Sequence, residues 1–504
     1  MKRIRVYLLI VCFFSGLACT LTSPTPASWS GTPSAQAEAK TETSVAQTAQ
    51  ALFGDDPTEI PIPELPTEDE MTKTPTPPLT LDGPWLVFPK PDGTGLEFYD
   101  IEAGVTQEID LPQPIYFSDL LDGRSPQDGT LMIRAGSPEN LDELAVYQVD
   151  LIEAEVTKIS PLLSLSLQRQ IVNQQSNRAV ETLQAVTREN SLSWSPNGRY
   201  LAFAAALDNA SSDLYLYDTW GQRVRRLNGL FTHNGSPFWS PGNNWLVSQE
   251  FDFLSADEGW RAVNFTALRV PDYDDQNTLY LPPAGSQREV LLGWVSTQSF
   301  YCFSQTGNGP QRIREVNVDK AEYYIRFDGP FTQAAFDPKS KYLALIQDQD
   351  IAADLGTTAG IYGIQPGTTN PQLIRAGDFN QLTWDPGGMF IASGPSGVFG
   401  FPIEEAGLYL PEEGQASLSP SGNWLIAWGN EALPGARLYQ TPVNAPLQTL
   451  IDTPVEGMLW QPDSRGFFIM SEGNLYHFAF PSLNPDEVAV GFAAEIPPIF
   501  VWLE

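Results

Sequence analysis

The sequence predicts an all-β fold in which about eight or nine four-stranded antiparallel units close into a single ring, with the last strand of the chain completing the first unit. Three observations predict it. The stretch Leu192 to Phe203, reading LSWSPNGRYLAF, recurs in variant form down the chain. Between the copies lie further short runs of alternating apolar residues, enough for four strands per repeat. One strand is missing from the first unit, and a matching one stands at the C-terminus.

Within the motif, Leu192 to Trp194 has the alternating aromatic character of a strand, and Pro196, Asn197 and Gly198 supply a tight turn. Tyr200 to Phe203 forms the return strand, so the motif is a hairpin with a face to bury. Copies occur at Phe238 to Gly242, Ala335 to Pro338, Leu382 to Gly388, Ser417 to Gly422 and Leu459 to Asp463, each followed by an aromatic or aliphatic run. This motif resembles the W-S-P-D-G-x-x-I-A-F repeat of the TolB-like (WD40-like, PD40) β-propeller proteins. The resemblance implies a propeller across residues 82–504 and implies no activity, because that family uses the repeat as scaffold.

Naming the strands of a unit A to D from the axis outward, the unit at 192 to 228 has A around Trp194, B at Tyr200 to Ala204, C at Asp213 to Asp218 and D at Arg223 to Leu227. Other units begin near 114, 237, 333, 381, 415 and 457. The unit at 290 to 327 is weaker, because no Ser-Pro-x-Gly turn follows Trp294, and the region between Trp384 and Leu418 is crowded. Each unit alone exposes a sheet face, so only stacking around a ring buries the core. The first unit offers B, C and D strands at Trp85 to Phe88, Leu96 to Ile101 and Thr106 to Leu111, with no A strand before them. Ile499 to Trp502 has the A pattern, which predicts a C-terminal strand that closes the ring and removes both open edges.

The N-terminal part reads differently. Lys2 to Arg5 is basic, Val6 to Phe14 is apolar, and Ser15 to Cys19 holds small residues, the anatomy of an export signal. Its apolar core falls short of the roughly 20 residues a spanning helix needs. Cys19 followed by a Ser/Thr/Pro-rich tail resembles the lipobox of bacterial lipoproteins, with Gly16 where that pattern wants Leu, and the resemblance implies lipidation at Cys19. Ordinary secretion and a retained anchor are the alternatives. Residues 1–19 are therefore expected to be a signal segment with a lipobox-like end, and residues 20–81 a disordered stalk too poor in apolar residues to fold.

Composition narrows the function. The chain of 504 residues carries 61 acidic against 28 basic residues and a formal net charge of −33. Such a surface repels phosphate backbones, which argues against nucleic-acid partners. Of the two histidines, His233 is expected in a solvated loop and His477 in a sheet. Neither sits in a nucleophile or metal motif, and no Gly-x-Ser-x-Gly elbow is present. Asp272 to Asn277 offers alternating oxygen ligands but lacks the glycine and distal glutamate of an EF-hand, so an acidic turn is the expected reading. Cys302 is expected to be a buried free thiol, the tryptophans of the A strands to be packing residues, and Trp220 and Trp260 to lie in loops.

The expectation is a non-catalytic, lipid-anchored propeller that needs no cofactor or metal and binds a protein or cell-envelope ligand at the cell surface. A carbohydrate hydrolase or lyase is the alternative, and carboxylates converging at the axis would favour it. Strand direction puts the A–B and C–D turns on one face of the disc and the B–C and D–A connections on the other. The long excursions, Pro161 to Asn190, Phe251 to Trp260, Asp348 to Ala359 and Asn430 to Gly435, all fall on that second face, and Leu162 to Val172 with Ala179 to Val186 has the spacing of a short helix.

Overall fold

The structure is a computed structural model that describes residues 85–501 apart from 91–92, 112–123, 127–129, 138–139, 152, 174–176, 189, 209–210, 228–231, 256–258, 271–275, 280–287, 386–387, 402–407, 411–413, 430–433, 442–445 and 492–498. The signal segment, Cys19, the stalk and Trp502 lie outside the described residues. What is described is a nine-blade β-propeller: eight four-stranded antiparallel sheets and one three-stranded sheet.

The first blade joins strands Trp85–Pro89, Gly95–Asp100 and Val105–Asp110 to the C-terminal Ile499–Val501. That last strand runs antiparallel to the first, with Trp85 opposite Val501 and Val87 opposite Ile499. The expected closure is present. The second blade has three strands, Thr130–Ser137, Asn140–Asp150 and Glu155–Pro161. At its A position Arg124 makes an isolated antiparallel bridge to Leu131, just after residues that are not described.

The two units that the sequence left doubtful are complete blades. Where the unit near 290 lacks its Ser-Pro-x-Gly turn, strands Arg288–Trp294 and Ser299–Thr306 are joined through Val295 and Ser296 N–H groups, both donating to Ser299 O. The Gln298 N–H donates to Ser296 Oγ in the same turn, so a serine side chain replaces the proline–glycine geometry. Between Trp384 and Leu418 the blade is short because strands Met389–Gly394 and Gly397–Phe401 meet in a tight turn, with Gly394 opposite Gly397 at φ 97°.

Period-two alternation builds the core. In the first blade Trp85 and Val87 pack toward Leu131 and Ile133 of the second, while Leu86 and Phe88 pack toward Phe468 and Met470 of the ninth. The same division repeats around the ring, giving nine apolar clusters among the described residues, each shared by two neighbouring blades. Because the ninth blade shares a cluster with the first, both faces of every sheet are covered, which an open array could not achieve.

Candidate functional site: the axial channel and the face around it

The recurring turns are structural. Ser195 accepts the Tyr200 N–H on its Oγ at 2.9 Å and donates from the same hydroxyl to Asn197 Oδ1 at 2.8 Å. Ser240 and Ser419 take the same role toward the Trp245 and Trp424 amides, and all three serines are buried. Turns also tie neighbouring blades: the Asn197 N–H donates to Asn243 Oδ1, and the Ser421 N–H to Ser464 Oγ. The A-strand tryptophans add a second set of ties. Trp239 Nε1 donates to Ser193 O at 3.0 Å and Trp460 Nε1 to Ser417 O at 3.4 Å, each reaching the A strand of the preceding blade. Motif residues are thus consumed in holding the ring.

The opposite face carries most of the added structure. Pro161 to Asn190 contains two helices, α1 (Leu165–Val172) and α2 (Asn177–Val186), where the sequence suggested one. Ser164 caps the first through the Leu167 N–H. Leu167, Ala179 and Val186 are buried in the cluster between the second and third blades, so the inner side of this pair packs on the disc. Leu165, Val172 and Val180 stay exposed. Asp348 to Ala359 also contains a helix, α3 (Gln349–Leu355), capped by Asp348 and ended by Gly356 at φ 67°. Phe251 to Trp260 is not a loop: it extends strands Trp245–Ser255 and Gly259–Arg269 into one long hairpin, which places Trp260 in a strand. The aromatic alternation of Phe251 and Phe253 continuing past the disc was the available signal. Asn430 to Gly435 falls mostly outside the described residues.

His233 corrects a second expectation. It opens the A strand of the fourth blade, a strand that α2 packs against, and is fully buried against the Trp260 ring, edge to face at 5.2 Å. Its Nδ1 accepts the Ser212 N–H at 3.2 Å, which leaves the proton of the neutral ring on Nε2. Nε2 has no hydrogen-bond partner among the described residues. Burial, with Arg178 and Arg188 adding repulsion, lowers its pKa from 6.5 to about 3. A group with a depressed folded pKa contributes stability that is present above its unfolded pKa and lost as pH falls. Stability is therefore expected to rise between pH 5 and 6.5 with a slope from this residue of up to about 1.4 kcal/mol per pH unit. His233→Gln should flatten that slope in chemical denaturation at matched ionic strength, and an unchanged slope would refute the assignment.

His477 is the sheet histidine expected: it is buried, stacked on Phe468, within 3.0 Å of Gln461 Nε2, and desolvation lowers its pKa. Cys302 is a buried free thiol whose pKa is pushed well up by burial. Trp220 is exposed on a turn with the Arg199 guanidinium 4.3 Å above its ring. Asp272 to Asp275 lie outside the described residues, and Gln276 and Asn277 begin the D strand Gln276–Leu279. Among the described residues no group of three or more His, Cys, Asp or Glu is placed to hold a metal ion.

At the axis, a cavity of about 450 Å³ is lined by the A strands of three successive blades, Arg288–Trp294, Gln333–Phe336 and Gln381–Asp385. Its walls are Leu291, Leu292, Ala334, Phe336, Thr383 and Trp384, with Gly293, Ala335, Pro338 and Leu382 completing them. Because each A strand ends its sheet, its second row of backbone N–H and C=O groups faces the lumen. Three exposed amides, Gln333, Gln381 and Gln415, begin the A strands of successive blades. Exposed charge is scarce. Glu289 and Asp385 are buried and paired, to Arg314 and to the Ser417 hydroxyl, so Glu456 is the one carboxylate shown exposed on an A strand among the described residues.

No known family model matches the chain, and no curated protein matches it. Among solved structures the chain is similar to dipeptidyl peptidase 4 of Porphyromonas gingivalis, at 12% identity and a TM-score of 0.44, over 76% of this chain and 64% of that one. It thus spans less than two thirds of that peptidase's length. A eukaryotic initiation factor is similar at 10% identity and a TM-score of 0.49, over 81% of this chain and 96% of that one. The dihydro-heme d1 dehydrogenase NirN, in complex with DHE, is similar at 13% identity and a TM-score of 0.43, over 78% of each chain. Likeness at this level carries no inference about activity.

Proposed function

We propose that this chain is a non-catalytic ligand-binding propeller of the TolB-like kind, exported and held at the outer face of the cytoplasmic membrane or in the cell envelope by a lipid on Cys19. Its ligand, a protein or another envelope component, enters from the face bearing α1, α2, α3 and the long hairpin. The lining of the channel carries the non-catalytic part of this reading, and the structure added around α1, α2 and α3 carries the choice of face. A glycosidase needs two carboxylates about 5 to 9.5 Å apart on the reacting bond. The described A strands instead offer apolar side chains, neutral amides and backbone edges, with Glu456 alone exposed. A cavity lined by no charged side chain, in a chain of net charge −33, favours recognition over acid–base chemistry.

One set of variants tests both anchor and face. Cys19→Ser should move the protein from the membrane fraction to the soluble fraction. Cross-linking in intact envelopes should yield a defined set of products that Thr383→Arg in the channel wall and Leu165→Lys with Val172→Lys on α1 abolish. Arg465→Ser, an exposed change on the turn face, should leave that set intact. Products lost with Arg465→Ser and kept with the others would put the ligand on the wrong face. Glycoside cleavage that disappears in Glu456→Gln would make the protein an enzyme.

A further inference from the structure

The outermost strand of the fifth blade, Glu322–Pro330, is unlike the other outer strands. At nine residues it is the longest of them among the described strands. Others are short or blunted: Arg223–Arg226 has four residues, three of them arginine, and Pro446–Ile451 and Pro485–Val490 begin with proline. These are the usual protections of a sheet edge. Glu322–Pro330 instead exposes three consecutive large side chains, Tyr323 at 38%, Tyr324 at 50% and Ile325 at 39%. It ends its sheet, so its far row of backbone groups meets no strand among the described residues.

We infer that this edge is a pairing site for a second copy of the chain, the two strands running antiparallel about a two-fold axis at Tyr324. The charges argue for that occupant. With Tyr324 opposite itself, Tyr323 meets Ile325 of the other copy and Glu322 meets Arg326, so unlike charges face each other twice. Glu322, Tyr324 and Arg326 share one side of the sheet: the Tyr324 hydroxyl donates to Glu322 Oε2 at 3.0 Å. Arg326 Nε donates to Glu315, which stands opposite Tyr324 in register. Arg326 can bridge Glu315 and the incoming Glu322. A bulge falls at Arg326, which has no partner in the inner strand's register. The regular edge is therefore Glu322 to Ile325, and beyond it the pairing uses only the Arg326 side chain. Net charge opposes self-association at long range, but at 0.15 M salt the screening length of about 8 Å leaves contact-range pairs to decide.

The test uses the full chain carrying Cys19→Ser, so that no lipid drives co-micellisation. Sedimentation velocity at 0.15 M salt should show a reversible dimer. Glu322→Arg and Arg326→Glu should each weaken it by at least about tenfold, and the double reversal should restore it. Tyr324→Cys should cross-link on mild oxidation, since residues directly opposite in an antiparallel pair sit about 4.5–5.5 Å apart at Cα, within disulfide reach. Lys320→Cys should not cross-link. Circular dichroism and melting of each single variant identify any that fails to fold, and the Tyr324→Cys result then decides alone. A chain that stays monomeric at all concentrations, or a dimer indifferent to the charge reversals and the cysteine, overturns the inference.

Discussion

Removing residues 498–504 is expected to destabilise the protein by about 4 kcal/mol, far more than loss of an ordinary surface tail. The deletion takes away Ile499–Val501, which pairs with Trp85–Pro89. The first strand of the first blade then loses its ladder partner, at about 0.5–1.5 kcal/mol per hydrogen bond, and becomes an open edge. Trp85, Leu86, Val87 and Phe88 are fully buried and shared between the clusters on both sides of that blade, so damage spreads to the joints with the second and ninth blades. For a chain of this length the loss corresponds to a fall in Tm of about 4–5 °C, with a broadened transition as the ring opens from one end. Differential scanning calorimetry of the truncated chain measures it. A Tm and width equal to those of the intact chain would mean that the strand latches nothing.

Closure was legible because the missing strand and its replacement are both backbone patterns. Trp85 to Phe88 reads as a B strand with nothing before it, and Ile499 to Val501 supplies the same alternation as the other A strands. Blade number was less legible where one turn chemistry substituted for another: Ser296 does around Ser299 what Pro-Asn-Gly does after Ser195. The site was harder still. In sequence His233 has the turn formers Thr232, Asn234 and Gly235 around it and reads as a loop residue, yet Ser212 and Trp260, distant in sequence, bury it. Burial by a residue of the preceding blade and by the far end of a long hairpin in its own blade leaves no local periodicity to read. The channel lining shows the same limit. Gln333, Gln381 and Gln415 stand at matching positions of three repeats, which sequence alone displays, but their shared exposure follows from ring closure.

Replacing Arg314 by Met is expected to cost about 3–5 kcal/mol, the usual penalty for stranding a buried charge. Arg314 Nη1 donates to Glu289 Oε2 at 3.1 Å, and both side chains are at most 3% exposed. Glu289 Oε1 accepts from the Ser304 hydroxyl at 2.9 Å, and its backbone carbonyl accepts from Gln249 Nε2 of the fourth blade. Arg314→Met removes that cation from a buried carboxylate, which keeps the Ser304 hydroxyl and lies beside the Cys302 thiol. Glu289→Gln combined with Arg314→Met should recover much of the loss, because a neutral amide needs no counter-ion. The pair is thus expected to couple by at least about 1.5 kcal/mol in a double-mutant cycle. Cys302 supplies an independent readout: buried in the cluster between the fourth and fifth blades, it reacts with a thiol reagent only when that joint opens. Peptide-resolved labelling of Cys302 should accelerate about 100-fold or more in Arg314→Met, which is what a loss of about 3 kcal/mol gives when labelling follows the open population. Labelling that keeps its original rate while global stability falls would place the damage elsewhere and remove the ion pair from the joint between these blades.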